Sequence, residues 1–129
     1  MIGFVSVGTN DIARAGAFYD GLLAEAGKER LVDTAGFVAW GANWEETLLA
    51  VTSAADGTPA TPGIGPVIAL VQPSRTAVDK QHALALSLGA ASDGAPDYRG
   101  EEGDQGYYAG YCRDPDGNRL CFYFLGLRT

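Results

Sequence analysis

The stretch over residues 107–125 constrains the fold more than any other part of the chain. Two runs rich in aromatic and apolar residues flank the sequence DPDGN at 114–118. Proline presets φ at about −65°, glycine and asparagine tolerate positive φ, and Asp114 can accept hydrogen bonds from nearby backbone N–H groups. Two β-prone runs joined by such a loop predict an antiparallel hairpin near the end of the sequence.

The composition indicates one ordinary domain with an acidic balance. The 129 residues are 47% apolar and 19% charged, which is typical of a soluble protein with a single core. The formal net charge of −7 argues against a nucleic-acid partner, because phosphate contacts need clustered Lys and Arg. No apolar run is long enough to span a membrane, and the beginning of the sequence lacks the basic region of a signal peptide. We therefore expect no membrane partner.

The cysteine content predicts a reducing setting. Cys112 and Cys121 are too few for a disulfide framework, and their spacing is not that of a metal site. A cytoplasmic location is therefore expected. In a hairpin register that pairs Tyr111 with Cys121, the two cysteines point to opposite faces of the sheet, so we expect no bond between them.

The pattern of a strand, a helix and further strands occurs twice, which predicts an internal duplication. In the first half, apolar residues from Ile12 onward recur in steps of three and one, which predicts an amphipathic helix. Thr9 and Asn10 offer a cap for this helix, and Gly27 is placed to end it. Outside the hairpin, the predicted strands cover residues 3–7, 30–32, 36–40, 47–52 and 67–71.

The second half restarts after a connector. Residues 53–66 are rich in Gly and Pro and predict this connector, and a second helix is predicted to begin after its cap Ser74 and to end at Gly89. Residues 90–106 are acidic and contain glycine, so they predict an irregular segment with at most a short strand. The single predicted domain and its two half-modules span 1–129, about 1–57 and about 65–126.

These elements together predict an α+β fold of two tandem βαβββ modules. Each module forms a mixed sheet that its helix covers on one face. The uncovered faces can curl toward each other and enclose a cleft between the two halves. The predicted cleft is where we expect a ligand.

Three pieces of the sequence resemble the vicinal oxygen chelate superfamily, which includes glyoxalase I, bleomycin-resistance and fosfomycin-resistance proteins, and extradiol dioxygenases. They are FVSV at 4–7 with TND at 9–11 and AFY at 17–19, the strand–helix pair ending at 88–89, and RDPDGN at 113–118. Their order and spacing cover essentially the whole chain and imply the fold. The resemblance implies no single reaction, because this family supports several chemistries and also pure binding.

In metal-dependent members of the family, four His, Glu or Gln ligands from four strands hold a divalent ion in the cleft. The resemblance puts these positions at Phe4, Ala50, Val67 and Cys121. Phe, Ala and Val supply no donor atom, so we predict no metal and no other cofactor. The only histidine, His82, lies in the second helix and is expected to be a surface or hydrogen-bonded residue.

Every second residue of a strand points to the same face, so the residues that alternate with the four metal-ligand positions are also predicted to face the cleft. Tyr111 corresponds to a tyrosine that extradiol dioxygenases carry three residues before the turn, and Trp40, Trp44 and Tyr108 are placed at the rim. Each strand aromatic on its own is more often a core residue than a ligand contact. The predicted ligand-binding residues are Phe4, Ser6, Trp40, Ala50, Val67, Tyr107, Tyr111, Cys121 and Tyr123.

An aromatic cleft in an acidic protein suits a flat or cationic ligand. The predicted function is therefore metal-independent binding of a small molecule, similar to drug sequestration by bleomycin-resistance proteins, which the resemblance implies occurs in a homodimer. Two alternatives stay open: a glyoxalase-like lyase or isomerase or a dioxygenase that acts on a small oxygen-bearing metabolite, and an interaction domain without chemistry.

If the chain is an enzyme, Cys121 and Tyr111 are the candidate catalytic residues. A reactive thiolate needs a neighbouring base or cation to lower its pKa. Arg113, at the end of its strand, is the cation that we suggest for this role.

Overall fold

The computed structural model describes residues 2–53, 59–61, 65–100 and 106–126. The chain divides into two compact units, Met1–Gly63 with Pro115–Gly117, and Ile64–Asp114 with Asn118–Thr129. Within the described residues, no helix has the length and apolar character needed to cross a membrane. Most of the predicted connector at 53–66 and both ends of the predicted domain lie outside the described residues. The assignment of a single domain over 1–129 stays a prediction.

The first unit contains one helix and a four-stranded mixed sheet. Its strand order is β1-β4-β3-β2, with β1 and β4 parallel and the other neighbours antiparallel. Every predicted strand of this half is confirmed to within one residue at each end. The elements are β1 (Phe4–Gly8), α1 (Ile12–Ala24), β2 (Glu29–Asp33), β3 (Phe37–Gly41) and β4 (Leu48–Thr52).

Helix α1 begins at a cap that differs from the predicted one. Asp11 has an extended backbone, and its side chain accepts a hydrogen bond from the backbone N–H of Arg14 at 3.0 Å. The prediction that Thr9 or Asn10 caps this helix was wrong, because Asp11 itself occupies the cap position. Gly27 has a φ of +73°, and this left-handed conformation ends the helix as predicted.

Trp40 is buried between the first sheet and α1. Its indole Nε1 donates a hydrogen bond to the carboxylate of Asp20 at 2.8 Å, and Arg30 donates two more to the same carboxylate, each at 2.8 Å. These hydrogen bonds, first among them that from Arg30, lower the pKa of Asp20 against the opposing effect of burial. The buried indole N–H is therefore satisfied by a charged partner.

The prediction that Trp40 lines the cleft face was wrong. In the register of β3 and β4, Ala39 pairs with Ala50 and Trp40 pairs with Leu49. Successive residues of a strand point to opposite faces, so the indole of Trp40 and the methyl group of Ala50 lie on opposite faces of the sheet.

The second unit repeats the βαβββ pattern with one strand interrupted. Its strand order is β5-β9-β8-β6, and β7 also pairs with β8, so β6 and β7 together occupy the place of one strand. The hairpin and the strand at 67–71 are confirmed. The elements are β5 (Ile68–Val71), α2 (Arg75–Ser87), β6 (Ala91–Ser92), β7 (Asp97–Tyr98), β8 (Tyr107–Arg113) and β9 (Arg119–Leu125).

Helix α2 covers one face of the second sheet. Ser74 caps it by accepting a hydrogen bond from the backbone N–H of Ala77 at 3.1 Å, and Gly89, at a φ of +111°, ends it as predicted. His82 faces the sheet, is 5% exposed, and its Nε2 lies 3.1 Å from the carbonyl oxygen of Tyr111. The expectation of a hydrogen-bonded histidine is thus confirmed.

Gly110 leaves the space that His82 occupies. A Cβ at this position would lie 2.9 Å from Cγ of Pro96 and 3.1 Å from Cδ2 of His82. The rings of Pro96 and His82 therefore pack against the backbone of β8 in the space that a side chain at residue 110 would fill. The close approach brings the imidazole within reach of the Tyr111 carbonyl.

The turn between β8 and β9 is held by its first residue. The Asp114 carboxylate accepts a hydrogen bond from the backbone N–H of Asn118 at 2.8 Å and another from the Asn118 side-chain amide at 3.0 Å. Gly117 has a φ of +88°, whereas no described residue other than glycine has a positive φ. The sequence expectation for Asp114 and Gly117 is confirmed. Asn118, which could also adopt a positive φ, does not have one.

Candidate functional site

Aromatic and hydroxyl groups gather on the face of the second sheet that lies opposite α2. Tyr111 pairs with Cys121, and Ala109 pairs with Tyr123. Alternation therefore places Tyr107, Ala109, Tyr111, Cys121 and Tyr123 on this one face, which we call the tyrosine face. This register agrees with the pairing that the sequence predicts.

A chain of three polar groups crosses the tyrosine face. The Tyr107 hydroxyl lies 3.1 Å from the Tyr111 hydroxyl and 3.1 Å from Sγ of Cys121. Cys121 is 1% exposed, whereas Tyr107 and Tyr111 are partly exposed. Burial, together with the hydrogen bonds to Cys121 and Tyr111, raises the pKa of Tyr107 above its ordinary value, so this phenol stays protonated at neutral pH.

Two arginines flank the ring of Tyr111. The guanidinium carbon of Arg119 lies 4.3 Å from the ring centroid, and that of Arg99 lies 5.5 Å from it. Both distances are within the range of cation–π attraction. Arg119 and Arg113 also share one oxygen of Asp93, at 3.0 and 3.2 Å from their Nε atoms.

Arg99 hydrogen-bonds to the outer edge of β8 beside the short strand β7. Its Nε and Nη2 donate hydrogen bonds to the carbonyl of Ala109 at 3.3 and 3.1 Å, and Nη2 also donates to the carbonyl of Ala95. Gly94 has a φ of +139°, and a Cβ there would lie 3.1 Å from Nη2 of Arg99. Glycine therefore permits both the backbone conformation and the position of the guanidinium.

The residues that sequence reasoning missed are Arg99, Arg119 and Asp93. Arg119 shares the strand parity of Cys121 and Tyr123, so alternation could have placed it on the tyrosine face. Arg99 and Asp93 lie in the irregular segment at 90–106, where no periodicity indicates a direction. Tyr108, predicted at the rim, instead points to α2 and donates a hydrogen bond to Asp79 at 2.6 Å.

The first unit also has a face opposite its helix, and this face is apolar. Ala39 and Ala50 are fully buried, and the exposed ring of Phe4 contacts Phe37 edge to face at a centroid distance of 5.6 Å. Ser6 is exposed and adds one hydroxyl. Phe4, Ser6 and Ala50 share a face as predicted. The prediction that the two halves enclose a cleft stays a prediction.

The residues at the family's four metal-ligand positions do not fit a divalent ion. Phe4, Ala50 and Val67 carry no side-chain donor atom, and the thiol of Cys121 is hydrogen-bonded to Tyr107. Among the described residues, no three His, Cys, Asp or Glu side chains stand close enough together to hold a metal ion.

The two cysteines have different surroundings. Cys112 pairs with Leu120 on the face toward α2 and is fully buried, and burial raises the pKa of its thiol to about 12. Both cysteines are free, as the opposite parity predicts. Arg113, the cation proposed to activate Cys121, forms an ion pair with Asp93.

Comparisons with known proteins identify the fold. The structure is similar to a glyoxalase/bleomycin resistance protein from Albidiferax ferrireducens, with a TM-score of 0.82, 29% identity, and coverage of 96% of this chain and 98% of that chain. A glyoxalase/bleomycin resistance protein/dioxygenase family enzyme from Burkholderia phytofirmans gives a TM-score of 0.73 at 20% identity, covering 95% and 97% of the two chains.

A lactoylglutathione lyase from Agrobacterium tumefaciens gives a TM-score of 0.65 at 19% identity, covering 96% and 92%. No protein-family model matches the sequence, and no curated protein matches it significantly. The chain thus has the α+β glyoxalase/bleomycin-resistance fold, and its resemblance to the vicinal oxygen chelate superfamily is confirmed.

Proposed function

We propose that this chain binds a small molecule without a metal ion, as a binding protein of the glyoxalase/bleomycin-resistance type. The observation that carries the proposal is the 3.1 Å hydrogen bond between the Tyr107 hydroxyl and the Cys121 thiol. Cys121 occupies the position at which the resemblance puts the last metal ligand, and its thiol is engaged by Tyr107. Aromatic walls with a few convergent polar groups are typical of surfaces that bind small organic molecules.

The main proposed ligand contacts lie on the tyrosine face. The half-buried rings of Tyr107 and Tyr123, with centroids 5.6 Å apart and planes at 34°, offer flat apolar area. The Tyr111 hydroxyl offers a directed polar contact. Phe4, Ala50 and Val67 are proposed as further contacts because of their family positions, and Ser6 because it shares the strand face of Phe4.

Metal analysis tests the metal-independent part of this proposal. Purified protein is incubated with Ni²⁺, Zn²⁺ or Mn²⁺, desalted, and its metal content is measured by mass spectrometry. We expect far less than one ion per chain, and we expect Cys121→Ser to remove any residual thiolate-bound Zn²⁺. One tightly held ion per chain that survives the Cys121→Ser substitution would overturn the proposal.

An enzymatic function is the second candidate, favoured by the hydrogen-bonded chain that links Cys121, Tyr107 and Tyr111. Such a chain can transfer a proton between a ligand and the protein interior. The raised pKa of Tyr107 favours proton donation only to a strongly basic site, which limits this role. Formation or breakdown of lactoylglutathione by the wild-type protein, lost in Tyr111→Phe and independent of added metal, would support the enzyme and displace the binding protein.

A homodimer in a reducing cytoplasm completes the proposal. In the described part of the chain, β1 and β5 each pair with a neighbour on one side only. Phe4 and Val71 on these edge strands are 54% and 69% exposed. Exposed apolar strand edges are typical of interaction surfaces. Light scattering of the purified protein should give twice the mass of one chain, and a stable monomer at micromolar concentration would exclude the dimer.

A further inference from the structure

The chain of hydroxyls and the thiol on the tyrosine face has one hydrogen more than it can use internally. Cys121, Tyr107 and Tyr111 carry three hydrogens but are joined by two contacts of 3.1 Å. The unused hydrogen is on Tyr111 when the bonds run from Cys121 through Tyr107, on Cys121 when they run the other way, and on Tyr107 when its oxygen accepts both. The Cys121 end is 1% exposed, whereas the Tyr111 end is partly exposed. The Tyr111 hydroxyl, at the partly exposed end of the chain, is therefore a donor that a ligand can reach.

The charges around Tyr111 are predominantly positive. Arg99 and Arg119 lie over its ring, and Arg113 joins this cluster by sharing the Asp93 carboxylate with Arg119. Among the described residues of this cluster, three positive charges and one negative charge leave a net charge of +2. Asp97, which pairs in register with Ala109, reduces this to +1 if it is included. The cluster is positive in a protein whose net charge is −7.

Arg119 retains hydrogen-bonding capacity. Its Nε donates to Asp93 at 3.0 Å, and its two Nη groups donate to no described residue. The guanidinium is 4.3 Å from the ring that carries the Tyr111 hydroxyl, so one oxyanion can contact both groups. A guanidinium presents paired N–H groups that match a carboxylate or a phosphate.

The same arrangement disfavours the cationic ligand that aromatic rings and acidic charge would suggest. The Tyr111 ring already carries the guanidinium of Arg119 at 4.3 Å and that of Arg99 at 5.5 Å. A cation placed on this ring would be repelled by both. The electrostatics at the polar end of the tyrosine face therefore select for negative charge.

We propose that the ligand of the tyrosine face is an organic anion, whose carboxylate or phosphate group pairs with Arg119 and accepts a hydrogen bond from Tyr111. This inference rests on the proposed binding function and names the charge class of the ligand. Arg99 is a positioning residue, since it holds the Tyr111 ring and the β8 edge. The apolar body of the ligand would lie toward Tyr107 and Tyr123.

A titration with four probes of matched ring size tests the inference. Benzoate, phenyl phosphate, benzyl alcohol and benzamidinium are added to isotopically labelled protein at neutral pH and low salt, and backbone amide shifts are followed by NMR. We expect one of the two anions to bind tightest, with shifts centred on residues 107–123. The tighter anion identifies the group as a carboxylate or a phosphate.

Variants show whether Arg119 is responsible. Arg119→Gln should weaken binding of the preferred anion about tenfold and leave benzyl alcohol within about twofold, because one charge-assisted interaction is lost. Arg119→Lys keeps the charge without the paired donors and should fall in between. Lys80→Gln removes the same charge from an exposed position on α2, which covers the opposite face, and should leave anion binding unchanged.

The outcomes separate this inference from the proposed function. Tightest binding of benzamidinium or benzyl alcohol at residues 107–123 would overturn the anionic ligand and leave the binding function standing. Equal loss of anion binding in Lys80→Gln and Arg119→Gln would overturn the role of Arg119, because it would show an effect of net charge alone. If no probe shifts these residues at millimolar concentration, both the inference and the binding function fail.

Discussion

Asp116 accepts a hydrogen bond from the hydroxyl of Thr9 at 2.6 Å, although 107 positions separate the two residues in the sequence. The same carboxylate accepts hydrogen bonds from the backbone N–H of Asn10 at 3.1 Å and from the guanidinium of Arg14 at 2.9 Å. Asp114 holds the turn itself, whereas Asp116 stabilises the segment that leads into α1. The two aspartates of DPDGN therefore have different structural roles.

Replacing Asp116 should destabilise the protein strongly. Its side chain is 2% exposed, and Asp116→Ala removes the acceptor shared by the Thr9 hydroxyl, the Asn10 N–H and the Arg14 guanidinium. We expect the free energy of unfolding to fall by about 2–3 kcal/mol, measured by chemical denaturation. Asp33→Ala is the matched control, because its carboxylate is 66% exposed and makes a surface ion pair; it should cost less than about 0.5 kcal/mol. Equal losses in the two variants would contradict the assigned role.

Gly110 should not tolerate a methyl group. Gly110→Ala would place a Cβ 2.9 Å from Pro96 and 3.1 Å from His82, and both neighbours are rings with little freedom to move. We expect a loss of about 1–3 kcal/mol in the free energy of unfolding. Gly3→Ala, where nothing lies within 4 Å, should leave stability nearly unchanged. A stable Gly110→Ala protein with unperturbed His82 resonances would refute the packing described for β8.

Stability should decrease in alkaline solution because of Cys112. Burial raises the pKa of its thiol from 9.0 to about 12, so between these values the unfolded chain loses a proton that the folded protein keeps. The contribution is constant below about pH 9 and falls above it, with a slope that approaches about 1.4 kcal/mol per pH unit. Chemical denaturation at pH 7, 9 and 10 measures this slope.

Cys112→Ala provides the control for the pH dependence. The variant should be less stable than the wild type at pH 7, because a fully buried side chain is shortened. Its free energy of unfolding should nevertheless fall less steeply between pH 9 and 10. Parallel curves for the two proteins would show that Cys112 does not titrate as its burial implies.

Tyr107 should contribute more to stability than Tyr111. The Tyr107 hydroxyl stands in the middle of the polar chain and contacts both neighbours, whereas the Tyr111 hydroxyl stands at one end and contacts Tyr107. Tyr107→Phe should cost about 1–2 kcal/mol and Tyr111→Phe at most about 1 kcal/mol, both measured by thermal or chemical unfolding. The reverse order would show that the chain is organised around Tyr111.

Spacing within the sequence was enough to predict the hairpin of the second sheet. The family resemblance put Tyr111 on the strand that faces Cys121, and the observed register pairs these two residues. Trp40 shows where this reasoning ends. Its indole needs an acceptor when buried, and the acceptor is Asp20 on α1. Residue type suggested a ligand contact, but strand parity and a helix packed in space decide its position.

The candidate site was predictable only in its strand residues. Alternation gives Tyr107, Tyr111 and Cys121 a common face without any knowledge of tertiary contacts. Arg99 could not be found in this way, because it follows an irregular segment and reaches Tyr111 through a backbone conformation that Gly94 permits. The electrostatic character of the face therefore emerges only from the folded structure.

The interruption between β6 and β7 has a consequence for how this protein behaves at high concentration. Tyr111 exchanges backbone hydrogen bonds with Asp93 and Gly94, and the side chain of Arg99 occupies the carbonyl of Ala109. In the described residues, a charged side chain thus bonds to a carbonyl of β8 beside the short strand β7, close to the gap in the sheet edge. We therefore expect Arg99→Ala to aggregate more readily than the wild type at high concentration, because this edge carbonyl would lose its charged partner.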